Sequence, residues 1–269
     1  MYNCKDDSEK WVKQLKIAIF QMDLVFGSPD ENVEKVKNWI EKMEPSDVIV
    51  LPELWTTGYD LPNLQHMNDH YNQTVSLLKD LAVKHNVHII GGSVAKSDNG
   101  HIFNTMPVID QKGSLVHEYS KLHLFKLMDE HLHLKEGNDD PSFKLDDIHF
   151  AGFICYDIRF PEWIRKSVLN GAKAVVVPAE WPSPRIDHWV TLLKARAIEN
   201  QVYVIACNRV GSDHANEFGG HSLIIDPWGK IIAEGSDQEE IVYGEIHANE
   251  VEEIRKRIPI FDDRRAEFY

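Results

Sequence analysis

The chain has 269 residues, of which 43% are hydrophobic and 27% charged, as in an ordinary globular protein with a substantial core. Its 43 acidic and 29 basic side chains give a formal net charge of −14, which disfavours nucleic acid as a partner. The cysteines Cys4, Cys155 and Cys207 form no CxxC pair, the N-terminus lacks a signal-peptide pattern, and no apolar run reaches the roughly 20 residues of a membrane span. We therefore expect a cytoplasmic protein without membrane contact or a disulfide framework.

Strand and helix patterns alternate along the first half of the chain. In order, they predict a strand at 16–22, a helix from Pro29, a strand at 48–53, a helix at 72–85, a strand at 87–95 and a hairpin at 103–110 and 115–119. Ser28 stands where it can cap the first helix. The hairpin turn at Lys112 and Gly113 indicates antiparallel pairing within the sheet.

The second half continues the alternation after a long polar segment at 123–147. It predicts a strand reaching Cys155, a helix from Pro161, a strand at 174–177, a helix at 187–199, a strand at 202–207, three strands around a turn within 220–248, and a helix at 249–257. No linker or repeat interrupts the pattern, so we expect one α/β domain over 1–269, with an N-terminal extension at 1–14 and a C-terminal tail at 258–269. Near-continuous apolar strands imply burial on both faces and a layered sandwich.

Three reactive side chains each follow a predicted strand. Glu53 ends the strand at 48–53, Lys121 follows the hairpin, and Cys155 stands where a strand gives way to a helix. Strand ends are where α/β folds place their sites, and a helix N-terminus favours a thiolate. A Glu, a Lys and a Cys that converge there would form a thiol nucleophile with a base, an ammonium group and a backbone N–H for an oxyanion.

The three segments also resemble the nitrilase, or carbon–nitrogen hydrolase, superfamily. The matching motifs are LPELWTTGY at 51–59, YSKLHLF at 119–125 and GFICYDIRFPE at 152–162, in the order and at the separations of that superfamily. The resemblance extends from about residue 15 to the end of the chain. It implies an α/β fold of the four-layer αββα sandwich type, a homodimer or larger assembly, and no cofactor.

The resemblance also implies roles for individual residues. Glu53, Lys121 and Cys155 would form the catalytic triad, and the backbone N–H of Tyr156 would help to bind the oxyanion. The superfamily often has a second glutamate seven residues before a glycine. Glu130 stands seven residues before Gly137 and fits this position, whereas Glu136 is a weaker candidate.

A further block resembles the ω-amidase branch, whose members hydrolyse the terminal amide of 2-oxoglutaramate or 2-oxosuccinamate. It comprises PAEWPSPRIDHW at 178–189 and ARAIENQVY at 195–203. Arg185 could bind a substrate carboxylate bidentately, and Trp181 and Tyr59 could wall an apolar pocket. We therefore expect a small-molecule ω-amide as the substrate. Packing is the commoner role of a residue such as Trp181, and a solvated loop position stays open for Arg185.

Other functions have weaker support in the sequence. The fourteen histidines include pairs at 66 and 70 and at 131 and 133, but no HExxH motif or cysteine cluster accompanies them, so we expect no metal site. A hydrolase of another amide, a carbamoyl compound or a nitrile stays open. So do a non-catalytic interaction protein that retains the fold and a thiol redox protein, which would lack a nearby resolving cysteine.

Overall fold

Two β-sheets stack face to face between layers of helices in the computed structural model, which describes residues 14–67 and 70–268. The strands are β1 (Gln14–Gln21), β2 (Val48–Val50), β3 (His88–Ile90), β4 (Val94–Asp98), β5 (His101–Ile109), β6 (Leu115–Ser120), β7 (Ser142–Leu145), β8 (Ile148–Gly152), β9 (Ala174–Ala179), β10 (Tyr203–Asn208), β11 (Val210–Ser212), β12 (Glu217–Gly219), β13 (Leu223–Ile225), β14 (Ile231–Glu234) and β15 (Glu240–His247). The helices are α1 (Pro29–Lys42), α2 (His70–His85), α3 (Glu130–His133), α4 (Pro161–Leu169), α5 (Ile186–Asn200) and α6 (Ala248–Arg257). Short 3₁₀ helices cover Leu61–Met67, Lys126–Met128, Cys155–Arg159, Ser183–Arg185 and Ala266–Phe268.

The first sheet has the order β15-β1-β2-β3-β5-β4, with β6 paired to β5. The second has the order β14-β13-β10-β9-β8-β7, and β11 and β12 form a separate two-stranded pair. The strands at the centre of each sheet are parallel, β1 with β2 and β3 in the first sheet and β8 with β9 and β10 in the second. Parallel strands of this kind need cover on both faces, which the second sheet and the helices supply.

The alternation of side chains along β1 shows how the layers arise. Ile17 and Ile19 join the apolar cluster that includes the second sheet, whereas Ala18 and Phe20 join the cluster formed with α1 and α2. Successive residues of a strand point to opposite faces, so an unbroken apolar run contacts both layers. Helices α4 and α5 cover the second sheet with residues such as Ile164. The predicted αββα sandwich is therefore confirmed.

Most predicted strands and helices form close to their expected positions, but the strand predicted at 87–95 is divided into β3 and β4. Gly92 lies between them with a φ of +61°, and a Cβ there would come 2.0 Å from the carbonyl oxygen of Pro52. The close approach of two backbones ends the strand at a point that its apolar character does not reveal. The sequence analysis also missed β7, β11, β12 and the short helix α3.

Two local predictions were wrong. Ser28 precedes α1, but its hydroxyl bonds to the Glu31 carboxylate instead of capping the helix. The strand predicted to reach Cys155 ends at Gly152. Of the two predicted terminal segments, residues 1–13 lie outside the described residues. In the tail after α6, the ring of Phe261 packs beneath two arginine side chains, at positions 165 and 255.

Candidate active site

Three side chains singled out from the sequence meet between the two sheets. Glu53 follows β2 and Lys121 follows β6, both in the first sheet, whereas Cys155 follows β8 in the second. The carboxylate and the ammonium group are fully buried, and Cys155 is 6% exposed. The site is thus assembled only when the two sheets are packed together.

The Glu53 carboxylate is fixed by three donors from different parts of the chain. Its Oε1 accepts hydrogen bonds from Lys121 Nζ at 2.8 Å and from Asn104 Nδ2 at 2.8 Å. Its Oε2 accepts the backbone N–H of Glu180 at 3.0 Å. A carboxylate held in this way cannot rotate freely, so its distance from the neighbouring thiol is set by the fold.

Lys121 bridges two glutamates. Its Nζ lies 2.8 Å from Glu53 Oε1 and 2.6 Å from Glu130 Oε1, and Glu130 also accepts hydrogen bonds from the Tyr59 hydroxyl and the Phe125 N–H. Burial by itself would lower the pKa of Lys121, but the two carboxylates outweigh it and raise that pKa well above the usual value. Lys121 is therefore an ammonium ion at neutral pH. The alternative residue Glu136 is exposed, outside this cluster.

Cys155 is the first residue of a 3₁₀ helix and has a left-handed backbone conformation, with a φ of +46°. Such a φ is uncommon in residues with a side chain and marks a sharp turn held by its surroundings. Burial and the nearby Glu53 carboxylate raise the pKa of the thiol well above its ordinary value, although Lys121 opposes them. The thiol is therefore neutral at rest and needs a base to become a nucleophile.

Asp157 connects the turn at Cys155 to the segment that carries Lys121. Its Oδ2 accepts hydrogen bonds from the Tyr119 hydroxyl at 2.8 Å and the Ile154 N–H at 3.0 Å. Its Oδ1 accepts the His123 N–H at 3.0 Å and faces the His123 ring nitrogen at 2.7 Å. This carboxylate, which the sequence analysis did not single out, fixes one sheet against the other beside the thiol.

A narrow cavity opens onto Cys155. Its lining consists of residues from both sheets and the connecting loops, namely Tyr59, Phe125, Met128, Cys155, Tyr156, Arg159, Glu180, Trp181, Pro182 and Arg185. All four residues predicted to contact substrate, at positions 59, 156, 181 and 185, are among them. The lining also includes Arg159 and Glu180, which the sequence analysis did not assign.

Two guanidinium groups lie on aromatic rings of this cavity. Arg159 stands 4.9 Å from the ring centre of Trp181, and Arg185 stands 5.5 Å from that of Phe125. The indole N–H of Trp181 bonds to the Arg185 carbonyl at 2.7 Å, which holds the two segments together. Nη2 of Arg159 also lies 3.3 Å from the Nδ1 atom of His188. A guanidinium group stacked on a ring can direct its other N–H groups at a carboxylate, so the two arginines give this end of the cavity a preference for anions.

The alternatives based on histidine gain no support from the structure. Among residues 14–67 and 70–268, no group of three histidine, cysteine or acidic side chains is placed to hold a metal ion. Across the same residues, no helix combines the length and apolar character that crossing a bilayer requires. Cys207 is buried within β10, far along the chain from the Glu–Lys cluster.

Comparison with known families agrees with the motifs and the geometry. The carbon–nitrogen hydrolase family model matches residues 16–256. The chain belongs to this family. The carbon–nitrogen hydrolase described here is also 53% identical to 2-oxoglutaramate amidase of Bacillus subtilis over 262 residues, which are 97% of this chain and 100% of that protein. It is 36% identical to the omega-amidase YafV of Escherichia coli K12, over 93% of this chain and 96% of that one.

Solved structures share the fold of this carbon–nitrogen hydrolase. A CN-hydrolase superfamily protein of Xanthomonas campestris, with an arsenic adduct in its active site, superimposes with a TM-score of 0.88 at 31% identity. The match covers 94% of this chain and 97% of that one. Nit3 of Saccharomyces cerevisiae, from branch 10 of the nitrilase superfamily, gives a TM-score of 0.85 at 27% identity, with coverage of 94% and 97%. The predicted superfamily is confirmed, and with it the prediction of an amide-hydrolysing enzyme.

Proposed function

We propose that this enzyme is an ω-amidase that releases ammonia from 2-oxoglutaramate or 2-oxosuccinamate. The observation that carries the proposal is the shared cavity, in which Cys155 and two guanidinium groups, of Arg159 and Arg185, line the same space. An ω-amide of a 2-oxo dicarboxylic acid has an amide at one end and a carboxylate at the other. The similarity to a 2-oxoglutaramate amidase over nearly the whole chain supports the same substrate class.

The chemistry begins at Cys155. Glu53 accepts the thiol proton as Sγ attacks the amide carbon, which forms a tetrahedral intermediate with a negative oxygen. Lys121 Nζ and the N–H of Tyr156, in the first turn of the 3₁₀ helix, stabilise that oxygen, since N–H groups in a first turn lack partners within the helix. The proton passes from Glu53 to the departing nitrogen, and the C–N bond breaks to give ammonia and a thioester.

Water then completes the reaction. Glu53 takes a proton from the water molecule as its oxygen attacks the thioester carbon. The second tetrahedral intermediate then collapses to the acid as the C–S bond breaks, and Glu53 returns the proton to Sγ to regenerate the thiol. The high pKa of the buried thiol makes Cys155 neutral at rest, so the nucleophile forms only when substrate is present and Glu53 takes the proton. Glu130 holds the Lys121 ammonium group in position while each of the two tetrahedral intermediates forms.

The other expectations attached to this function concern assembly and location. We infer a homodimer that acts in the cytoplasm. The support is the resemblance to the superfamily and the absence of a disulfide at Cys155 and Cys207, both of which carry free thiols. Reduced thiols fit a reducing compartment.

The test is a comparison of ammonia release from 2-oxoglutaramate, 2-oxosuccinamate, glutamine, butyramide and a short aliphatic nitrile. We expect the two 2-oxo acids to have the highest kcat/KM, and Cys155→Ala to release no ammonia from any of them. A wild-type enzyme that prefers butyramide or the nitrile contradicts the ω-amidase assignment.

Arginine variants test the carboxylate site separately. Arg185→Ala and Arg159→Ala should each raise the KM for 2-oxoglutaramate at least tenfold, because removal of one partner of a buried charge pair costs about 2–5 kcal/mol. The kcat/KM for butyramide should change little. Arg257→Ala, which removes an exposed guanidinium group on α6, is the matched control and should leave the kinetic constants for both substrates unchanged.

A further inference from the structure

Glu180 is a buried carboxylate on the wall of the cavity that the proposed mechanism leaves without a role. It directly follows β9, its backbone N–H bonds to Glu53, and it is one of the residues that line the same cavity as Cys155. The side chain is fully buried. Its position therefore brings an acidic group to a space that is otherwise suited to an anionic substrate.

The two oxygens of Glu180 have different surroundings. Oε2 accepts a hydrogen bond from Arg209 Nη1 at 3.1 Å, whereas Oε1 is buried and has no hydrogen-bond partner. Arg209 donates to only one of the two oxygens. Its Nη2 and Nε atoms bond to the carbonyl oxygens of Leu24 and Val210, and its guanidinium carbon stands 4.3 Å from the centre of the Phe218 ring. A buried polar atom without a hydrogen-bond partner destabilises the fold, so Oε1 is a candidate contact for a bound ligand.

The protonation of Glu180 decides what partner fits. Burial raises the pKa of Glu180 to about 8; Arg209 opposes this shift, and the carboxylates of Glu53 and Asp213 add to it. The Asp23 carboxylate lies 3.5 Å from Nη2 of the same arginine. Glu180 consequently carries a proton at neutral pH. With Oε2 occupied as an acceptor, the proton belongs on Oε1, which becomes an O–H donor.

The substrate class proposed above has one polar group that the other cavity residues do not account for. The amide lies at Cys155 and Lys121, and the carboxylate at the guanidinium groups of Arg159 and Arg185. The 2-oxo oxygen, a hydrogen-bond acceptor beside the carboxylate, is left. We propose that Glu180 is the specificity-determining residue that donates a hydrogen bond from Oε1 to the 2-oxo oxygen of the substrate. This inference rests on the proposed function and names the residue that selects 2-oxo acids.

A pair of substrates isolates this contact. 2-Oxoglutaramate and glutaramate share the amide, the chain length and the carboxylate, and differ only where a carbonyl replaces a methylene group. In the wild type we expect kcat/KM to favour 2-oxoglutaramate. In Glu180→Ala we expect this preference to fall at least tenfold, because kcat/KM falls further for 2-oxoglutaramate than for glutaramate. Glu180→Gln, whose amide retains both a donor and an acceptor, should keep most of the preference.

The pH dependence of the preference gives a second measurement that does not depend on how the alanine variant folds. The ratio of the two kcat/KM values should fall as pH rises through about 8, because the donor on Oε1 is lost when Glu180 ionises. Ionisation of the Cys155 thiol changes kcat/KM for both substrates by the same factor, so its effect cancels in the ratio. In Glu180→Gln the ratio should be independent of pH.

The outcomes separate the inference from the function on which it rests. The inference is overturned if Glu180→Ala and Glu180→Gln lower kcat/KM equally for 2-oxoglutaramate and glutaramate. It is also overturned if the ratio of the two kcat/KM values in the wild type does not change with pH. In either case Glu180 is only a structural partner of Arg209. A wild type that releases ammonia from butyramide but not from 2-oxoglutaramate overturns the proposed function and the inference together.

Discussion

Replacement of Asp157 by asparagine tests whether the turn at Cys155 is held by the carboxylate beneath it. Asp157 accepts four hydrogen bonds, two on each oxygen, from Tyr119, Ile154 and His123. Asparagine has the same shape but a single acceptor oxygen, so two of the four donors lose their partner. The side chain is fully buried, and water cannot replace the lost acceptor.

The magnitude follows from these contacts. A hydrogen bond to a charged group contributes about 1.5 kcal/mol at the low end of its range, so two lost bonds destabilise the fold by about 3 kcal/mol. For a chain of this length the entropy of unfolding is roughly 0.56 kcal/mol per kelvin, which corresponds to a fall of about 5 °C in Tm. Asp157→Ala removes both acceptor oxygens and all four hydrogen bonds, and should lose about twice as much stability.

Calorimetry and steady-state kinetics measure the two consequences. We expect a lower Tm together with a kcat at least tenfold below the wild type, because the left-handed turn at Cys155 depends on the same carboxylate. Asp226→Asn is the matched control, since the Asp226 carboxylate accepts two N–H bonds on one oxygen in an exposed turn, where an amide oxygen serves equally well. An unchanged Tm and kcat in Asp157→Asn would refute this account of how the nucleophile is positioned.

Three other predictions concern the reactive groups. Cys155→Ala should fold with an unchanged Tm but lose all turnover, and iodoacetamide, itself a small amide, should label Cys155 faster than Cys207; activity in the alanine variant would end the thiol mechanism. Glu53→Gln and Lys121→Ala should each abolish nearly all activity, and the double variant should be no slower than the single ones, as for groups that act as a unit; fully multiplicative losses would show independent action. Burial raises the pKa of Cys207, so the unfolded thiol ionises first and the free energy of unfolding falls as pH rises above about 8.5. Denaturant titrations at pH 8 and pH 10 measure this fall in the free energy of unfolding. The fall should be smaller by about 2 kcal/mol in Cys207→Ser than in the wild type, and an equal fall in the two proteins would contradict the shifted pKa.

The sequence revealed the residues that end apolar strands, because that pattern is local. Glu53 and Cys155 follow buried runs, and the motif around Lys121 lies close behind a hairpin. The fold class followed from the same runs, since strands that are apolar on both faces need two covering layers.

What the sequence could not reveal depends on contacts between distant segments. Asn104 lies in the middle of β5 and bonds to a glutamate 51 positions earlier, which no local pattern indicates. Glu180 and Arg159 stood inside quoted motifs, but their role depends on which side chains share the cavity wall. The raised pKa of the Cys155 thiol has a similar origin, because burial is a property of the packed sheets.

The pairing of β1 with β15 joins an early segment of the chain to a late one, which matters while the chain is being synthesised. Eight residue pairs connect Gln14–Gln21 with Glu240–His247, so β1 obtains this neighbour only after more than two hundred further residues have been made. Until then one side of β1 is an unpaired strand edge, the kind of surface that recruits other chains. A chain released before residue 240 keeps that edge, and we expect such fragments to aggregate even when every residue around the thiol is present.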